Sequence, residues 1–171
     1  LFAIMPLTAI GTAVTAVVGS SFGAKNGEYI SRAHKFGAKF GIIFGTCVTL
    51  ILVVFATQLS TIFAYTAETA HLVPEITRYL QIACLSLPLT GAGMASTFFY
   101  QGIGKGTISL SWTIIREVIF TVGATFFFGI YLGWGLKGIW AGLAIGRAAA
   151  SILNYLYARY TIKGIRETLG N

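Results

Sequence analysis

Glu117 and Arg147 are the side chains of this sequence that most need a chemical reason, because each interrupts a long run otherwise almost free of charge. In lipid a buried charge costs at least ~2.5 kcal/mol on insertion scales, so intramembrane carboxylates and guanidiniums usually mark ion coupling, a substrate pathway or a buried pairing. Thr113, Glu117, Thr121 and Thr125 recur at steps of four, which points the acid along a hydroxyl-bearing helix face into the bundle. Ser151 and Asn154 accompany Arg147 in the same way. A direct Glu117–Arg147 ion pair would lower the cost of both, yet side chains lean toward their own helix N-terminus, and on oppositely running helices these two lean apart. Thr113 and Thr121 are then the expected partners of Glu117. The Asn154 face, or carbonyls freed near Pro88, are those of Arg147.

A second kind of chemistry is carried by hydroxyls. Ser86, Thr90, Gly93, Thr97 and Gln101 stand three or four apart and form one stripe, and Thr8, Thr12, Thr15 and Gly19 form another. Thr8, Thr12, Thr15, Ser86, Thr90, Thr97 and Gln101 are candidates for a substrate pathway, and close helix packing through small residues is the alternative. Catalysis has little support. His34 and His71 fall on opposite sides of the membrane, and Cys47 and Cys84 sit alone in apolar runs with no companion at metal-ligand or disulfide spacing. The glycines at 102, 104 and 106 do not follow the Walker spacing. His34, among Arg32, Lys35 and Lys39, is expected to be solvated or at headgroup level, and Glu68 with His71 to be an exposed loop pair. No catalytic residue, metal or cofactor is expected.

The elements that must position these residues are membrane helices. Only 10% of the 171 residues are charged, 56% are hydrophobic and the mean hydropathy is +0.78, against roughly 25% charge in ordinary soluble domains. Uncharged or nearly uncharged runs over about 1–22, 40–64, 78–101, 109–132 and 137–160 are each long enough to cross a bilayer core, which needs about 20 helical residues. The expected fold is an all-α membrane protein, a polytopic bundle of about five transmembrane helices in a single domain. Pro88 is expected to kink the third span and to free the Cys84 carbonyl, which must then find a donor on a neighbouring helix or in water. Gly37, Gly41 and Gly45 mark the second span as a packing helix, and Gly138, Gly142 and Gly146 line up on the last. Trp112 and Trp134 are expected to lie at the two interfaces of the fourth.

Net charge is +7, but the basic residues sit in connections between apolar runs rather than in a patch interleaved with aromatics, so nucleic acid is not an expected partner. Lys25, Arg32, Lys35, Lys39, Lys105, Arg159, Lys163 and Arg166 fall on one side, Arg78 and Lys137 on the other. That asymmetry makes the first side, with the C-terminus, cytoplasmic. Loops 23–39 and 102–107 are then inside and 66–76 outside. Leu1 already lies in an apolar run, so the sequence reads as a piece of a longer protein whose earlier helix is absent.

Three stretches carry a family resemblance: TAVTAVVGSSFGAKNGEYISRA, FYQGIGKGTISLSWTIIREVIF and WGLKGIWAGLAIGRAAASI. In order and spacing they resemble the second lobe of the twelve-helix multidrug and toxic compound extrusion (MATE) transporters, helices eight to twelve. The Asn-x-x-x-Asp-Pro segment usual in the first lobe is missing here, and Gly146 and Arg147 stand where relatives often have Ser-Asp, so no acidic role carries over there. The resemblance implies efflux of small cationic or amphipathic compounds in exchange for protons or sodium by alternating access, from a prokaryotic inner membrane. It implies as partners the lipid bilayer and a missing N-terminal lobe, which is expected to hold most of the coupling chemistry. The alternatives are a lipid-linked oligosaccharide flippase of the same superfamily, which should line its cavity with several cations, and a non-transporting membrane scaffold.

Overall fold

The computed structural model describes residues 5–63 and 73–169, and no strand occurs among them. The chain runs through α1 (Met5–Gly23), α2 (Gly27–Val54), α3 (Ala56–Phe63), α4 (Val73–Cys84), α5 (Leu87–Gly102), α6 (Gly106–Ile114), a π-helical stretch Ile115–Val122, α7 (Gly123–Phe126), a second π-helical stretch Phe127–Tyr131, and α8 (Gly135–Leu169). Four helical segments are long and apolar enough to cross a membrane: Met5–Gly23, Gly27–Val54, Gly106–Tyr131 and Gly135–Thr168. Val73–Cys84 with Leu87–Gly102 makes a fifth if that bent pair is one span. Glu68 and His71 lie outside the described residues.

α5 is the middle of the bundle and packs on α1, α2 and α8. Its approach to α2 rests on glycine. A Cβ at Gly41 would sit 2.8 Å from the Gly91 carbonyl oxygen, and one at Gly45 would sit 2.7 Å from that of Leu87, so two helix backbones are in direct contact. Gly138, Gly142 and Gly146 of α8 meet the backbone of Phe128, Ala124 and Phe120 in the same manner. Beyond these seams the outer surface is apolar, with Ile43, Leu50, Ile51 and Val54 exposed along α2, as suits helices in lipid.

The third span breaks where its proline requires. α4 and α5 meet at 46°, Pro88 occupies the first turn of α5, and the freed Cys84 carbonyl accepts a hydrogen bond from Thr49 Oγ1 of α2 at 2.7 Å. The polar Thr49 inside an apolar run is thus the donor that the break needs.

Two expectations are corrected. The segment 23–39 is not a loop: only residues 24–26 connect α1 to α2, because Asn26 caps α2 by accepting the Tyr29 amide at 3.2 Å and Glu28 supplies the acid of the first turn. As a consequence His34 is not solvated. It is 0% exposed, stacked on Tyr155 and edge-on to Phe99, with Nε2 2.9 Å from Ser96 Oγ. Trp112 packs against Tyr157 at 5.6 Å.

The structure gathers charge at two ends. Gly27, at the start of α2, lies against Arg166 near the end of α8, and Lys105, Gly164 and Thr168 border one cavity. Glu75, Arg78, Trp134 and Lys137 border another at the opposite end. At the basic end Gly104, with φ +75°, lets the chain leave α5 while the Lys105 amide closes back on the Tyr100 carbonyl at 2.8 Å.

Candidate functional site

The fourth span is wound unlike the others. Between Ile115 and Val122 it adopts π geometry, and the Thr121 hydroxyl donates to the Arg116 carbonyl five residues back at 2.8 Å. Wide turns of this kind are concentrated at functional sites. A π turn holds more than four residues and an α turn 3.6, so alternating them keeps every fourth residue on one face.

That face presents Glu117, which holds two guanidiniums. Arg116 Nε donates to Oε1 at 3.1 Å and Arg147 of α8 donates to Oε2 at 3.5 Å. The pairing disfavoured by side-chain lean therefore exists. Gly146 opposes Phe120, so Arg147 is level with about Ile119, only ~3 Å of helix rise from Glu117, and the long arginine stem covers that offset. The expected partners are otherwise engaged: Thr113 Oγ1 donates to Ser109 O and Thr121 Oγ1 to Arg116 O. Arg116 is the more buried of the two cations, its side chain only 21% exposed. With one carboxylate between two guanidiniums, the cluster keeps a net positive charge. The Glu117 and Arg147 side chains are 41% and 37% exposed, open on the side that no described helix covers.

Below the cluster, α8 turns polar atoms toward α5. Asn154 Nδ2 donates to Gly93 O and to Thr97 Oγ1, both at 3.0 Å, and a Cβ on Gly93 would strike Ser151. Arg147 Nε, Ser151 Oγ and Asn154 Oδ1 are buried with no partner among the described residues, on one face at steps of four and three. Buried polar atoms so placed are commonly met by water. Asn154 is therefore a partner of the hydroxyl stripe and not of Arg147.

The remaining candidates divide. Thr15 Oγ1 donates to Phe98 O of α5 at 3.0 Å, off the α5 stripe, whose Gly93 and Thr97 meet Ser151 and Asn154 of α8 instead. Gln101 Nε2 reaches Ser109 of α6 at 3.1 Å. Thr8, Thr12, Ser86 and Thr90 each turn back onto a carbonyl one turn earlier, that of Met5, Ala9, Ala83 and Ser86 respectively. Reading the sequence missed two links, Thr49 to Cys84 and Ser96 to His34. The unmet carbonyl demand at Pro88 was the signal for the first, while nothing in the residues around Ser96 pointed to the second.

The MatE family model matches residues 1–126. The chain belongs to the MatE family. This MatE chain is 27% identical over 166 residues to the probable multidrug resistance protein NorM of Bacillus cereus, a match covering 92% of the chain and 35% of NorM. It is similar to a solved inward-facing conformation of a multidrug resistance MATE family transporter of the MOP superfamily, with TM-score 0.95, 30% identity, and coverage of 98% of this chain and 38% of that one. An outward-facing conformation of such a transporter is also similar, with TM-score 0.92, 31% identity, and coverage of 96% and 36%. The MatE chain therefore spans about a third of the length of the curated relatives it matches.

Proposed function

We propose that this chain is part of a secondary active multidrug efflux transporter, which exchanges small cationic or amphipathic compounds for protons or sodium by alternating access. One observation carries the reading: the bundle is similar both to an inward-facing and to an outward-facing MATE transporter, at TM-scores of 0.95 and 0.92. A five-span unit that suits both states is what rocking of one rigid bundle against another uses. The chain would form most of one wall of the cavity and a further bundle of the same transporter the other. The Glu117 cluster and the α5 stripe would face or support that cavity. Arg116 and Arg147 are the cations that stand away from the charged ends of the bundle, and Glu117 engages both, which weighs against a pyrophosphate-binding flippase.

The intact transporter containing this chain, reconstituted in proteoliposomes, should move a cationic dye against its gradient when a proton or sodium gradient is imposed. Residues 1–171 alone should not. Dye movement by the 171-residue chain alone, or none by the intact transporter under either gradient, would refute the reading.

The basic end is proposed to be cytoplasmic and the C-terminus with it, on the charge asymmetry. With Cys47 and Cys84 replaced by alanine, single cysteines at Asn26 and Lys137 should react with an impermeant thiol reagent from opposite faces of right-side-out vesicles. Labelling of both from the same face would overturn the topology.

A further inference from the structure

We propose that the basic end of the bundle holds a binding site for the phosphate of an anionic phospholipid headgroup, in the cavity between the start of α2 and the end of α8. The cavity measures about 490 Å³ and is lined by Lys35 of α2 and by Arg159, Lys163 and Arg166 of α8, with Ser31 and His34 at its wall. Arg159, Lys163 and Arg166 follow at steps of four and three, so one face of α8 presents all three cations to α2.

None of these four cations takes part in an ion pair among the described residues. Like charges gathered around one cavity repel, and an anion seated between them converts that repulsion into attraction. The acids of the neighbourhood do not serve. Glu28 is taken by Arg32 at 2.6 Å, and neither it nor Glu167 lines the cavity. A second observation is independent of the charges: His34 is fully buried at this wall, and its Nδ1 has no partner among the described residues.

Two features choose a lipid over a soluble anion. Leu156 and Tyr160 also border the cavity, and they are 54% and 77% exposed, forming an apolar rim against which acyl chains can lie. The cavity also sits at the ends of membrane helices on the side proposed above to be cytoplasmic, where basic pockets between helices take anionic headgroups.

The test is native mass spectrometry of the purified intact transporter, titrated separately with dioleoyl phosphatidylglycerol, dioleoyl phosphatidylcholine and inorganic phosphate. Phosphatidylglycerol should bind at least about tenfold more tightly than phosphatidylcholine, and the double variant Arg159→Gln with Lys163→Gln should lose that preference. The charge-keeping pair Arg159→Lys with Lys163→Arg should retain it, and so should Arg32→Gln, which lies outside the cavity. Equal affinity for the two lipids in the unaltered protein overturns the proposal without reference to any variant. So does an undiminished preference in the double glutamine variant. Displacement of phosphatidylglycerol by millimolar inorganic phosphate would show the site to be for a free anion and would overturn the assignment to lipid. Binding is read without transport, so its failure leaves the efflux reading standing.

Discussion

Replacing Gly41 with leucine is expected to leave no monodisperse transporter after detergent extraction. The first atom of any side chain at this position would lie 2.8 Å from the Gly91 carbonyl oxygen and 2.9 Å from its carbon. Both belong to a helix backbone that cannot swing aside as a side chain does. Relief requires α5 to move away from α2, which also pulls Gly45 from Leu87 and Thr49 from the Cys84 carbonyl. Overpacking of side chains alone costs ~1–3 kcal/mol, and a forced helix separation that leaves a broken span unsatisfied should cost more. Gly164→Ala is the control: it sits in α8 with nothing within 4 Å of the added atom, and alanine should gain ~0.5–1 kcal/mol over glycine in a helix. Size-exclusion profiles and thermal unfolding of the intact transporter measure both. A Gly41→Leu protein that elutes and melts as the unaltered one does would show that the α2–α5 seam is not required.

Glu117→Gln is expected to destabilise the transporter, and adding Arg147→Leu to it is expected to restore much of the loss. The reason is charge count. Glu117 lies between Arg116 and Arg147; its removal leaves two guanidiniums uncompensated in an apolar span, each costing at least ~2.5 kcal/mol on insertion scales. Removing Arg147 as well leaves one. Arg147→Leu alone leaves the Arg116–Glu117 pair balanced one to one and should be close to neutral, since the guanidinium it removes is 37% exposed and is the second cation on an acid that is already paired. Coupling energies of about 0.5–3 kcal/mol are usual for residues in contact, and thermal unfolding of the four proteins reads it. A double variant no more stable than Glu117→Gln would mean that the pair is not coupled. In gradient-driven exchange, Glu117→Gln should keep more than about a tenth of the activity, a loss under ~1.4 kcal/mol, because a carboxylate held by two cations serves structure before it serves ion coupling. Complete loss of exchange with normal substrate binding would instead make Glu117 the coupling acid.

What could be read from the residues followed from rules that act locally. Runs free of charge gave the presence of membrane helices but not their bounds, since α2 runs Gly27–Val54 where a span over 40–64 was expected; Pro88 gave the break, and glycines at steps of four gave seams that the structure places against Gly91, Leu87, Phe120, Ala124 and Phe128. What could not be read depended on neighbours distant in sequence. His34 looks like a surface residue among cations, and it is buried because α2 starts early, at Gly27 behind the Asn26 cap, and turns that position toward Ser96, Phe99 and Tyr155. The Glu117–Arg147 contact depends on the vertical register of α8 against the fourth span, which the lean of side chains does not report. The hydroxyl stripes were legible as stripes. Whether each hydroxyl turns to its own helix or to another was not, because both choices use the same spacing.

The alternation of π and α turns in the fourth span also bears on changes in chain length. In a regular α-helix such as α2, loss of one residue rotates everything beyond it by about 100° and would turn the glycines of that helix away from α5. Within Ile115–Val122 the backbone is already wound one residue wide per turn. A deletion there can be absorbed by tightening that turn to ordinary α geometry, with Ala124 and Phe128 still meeting Gly142 and Gly138. The same stretch that holds the charged cluster is therefore where this bundle can lose a residue while its seam with α8 stays in place.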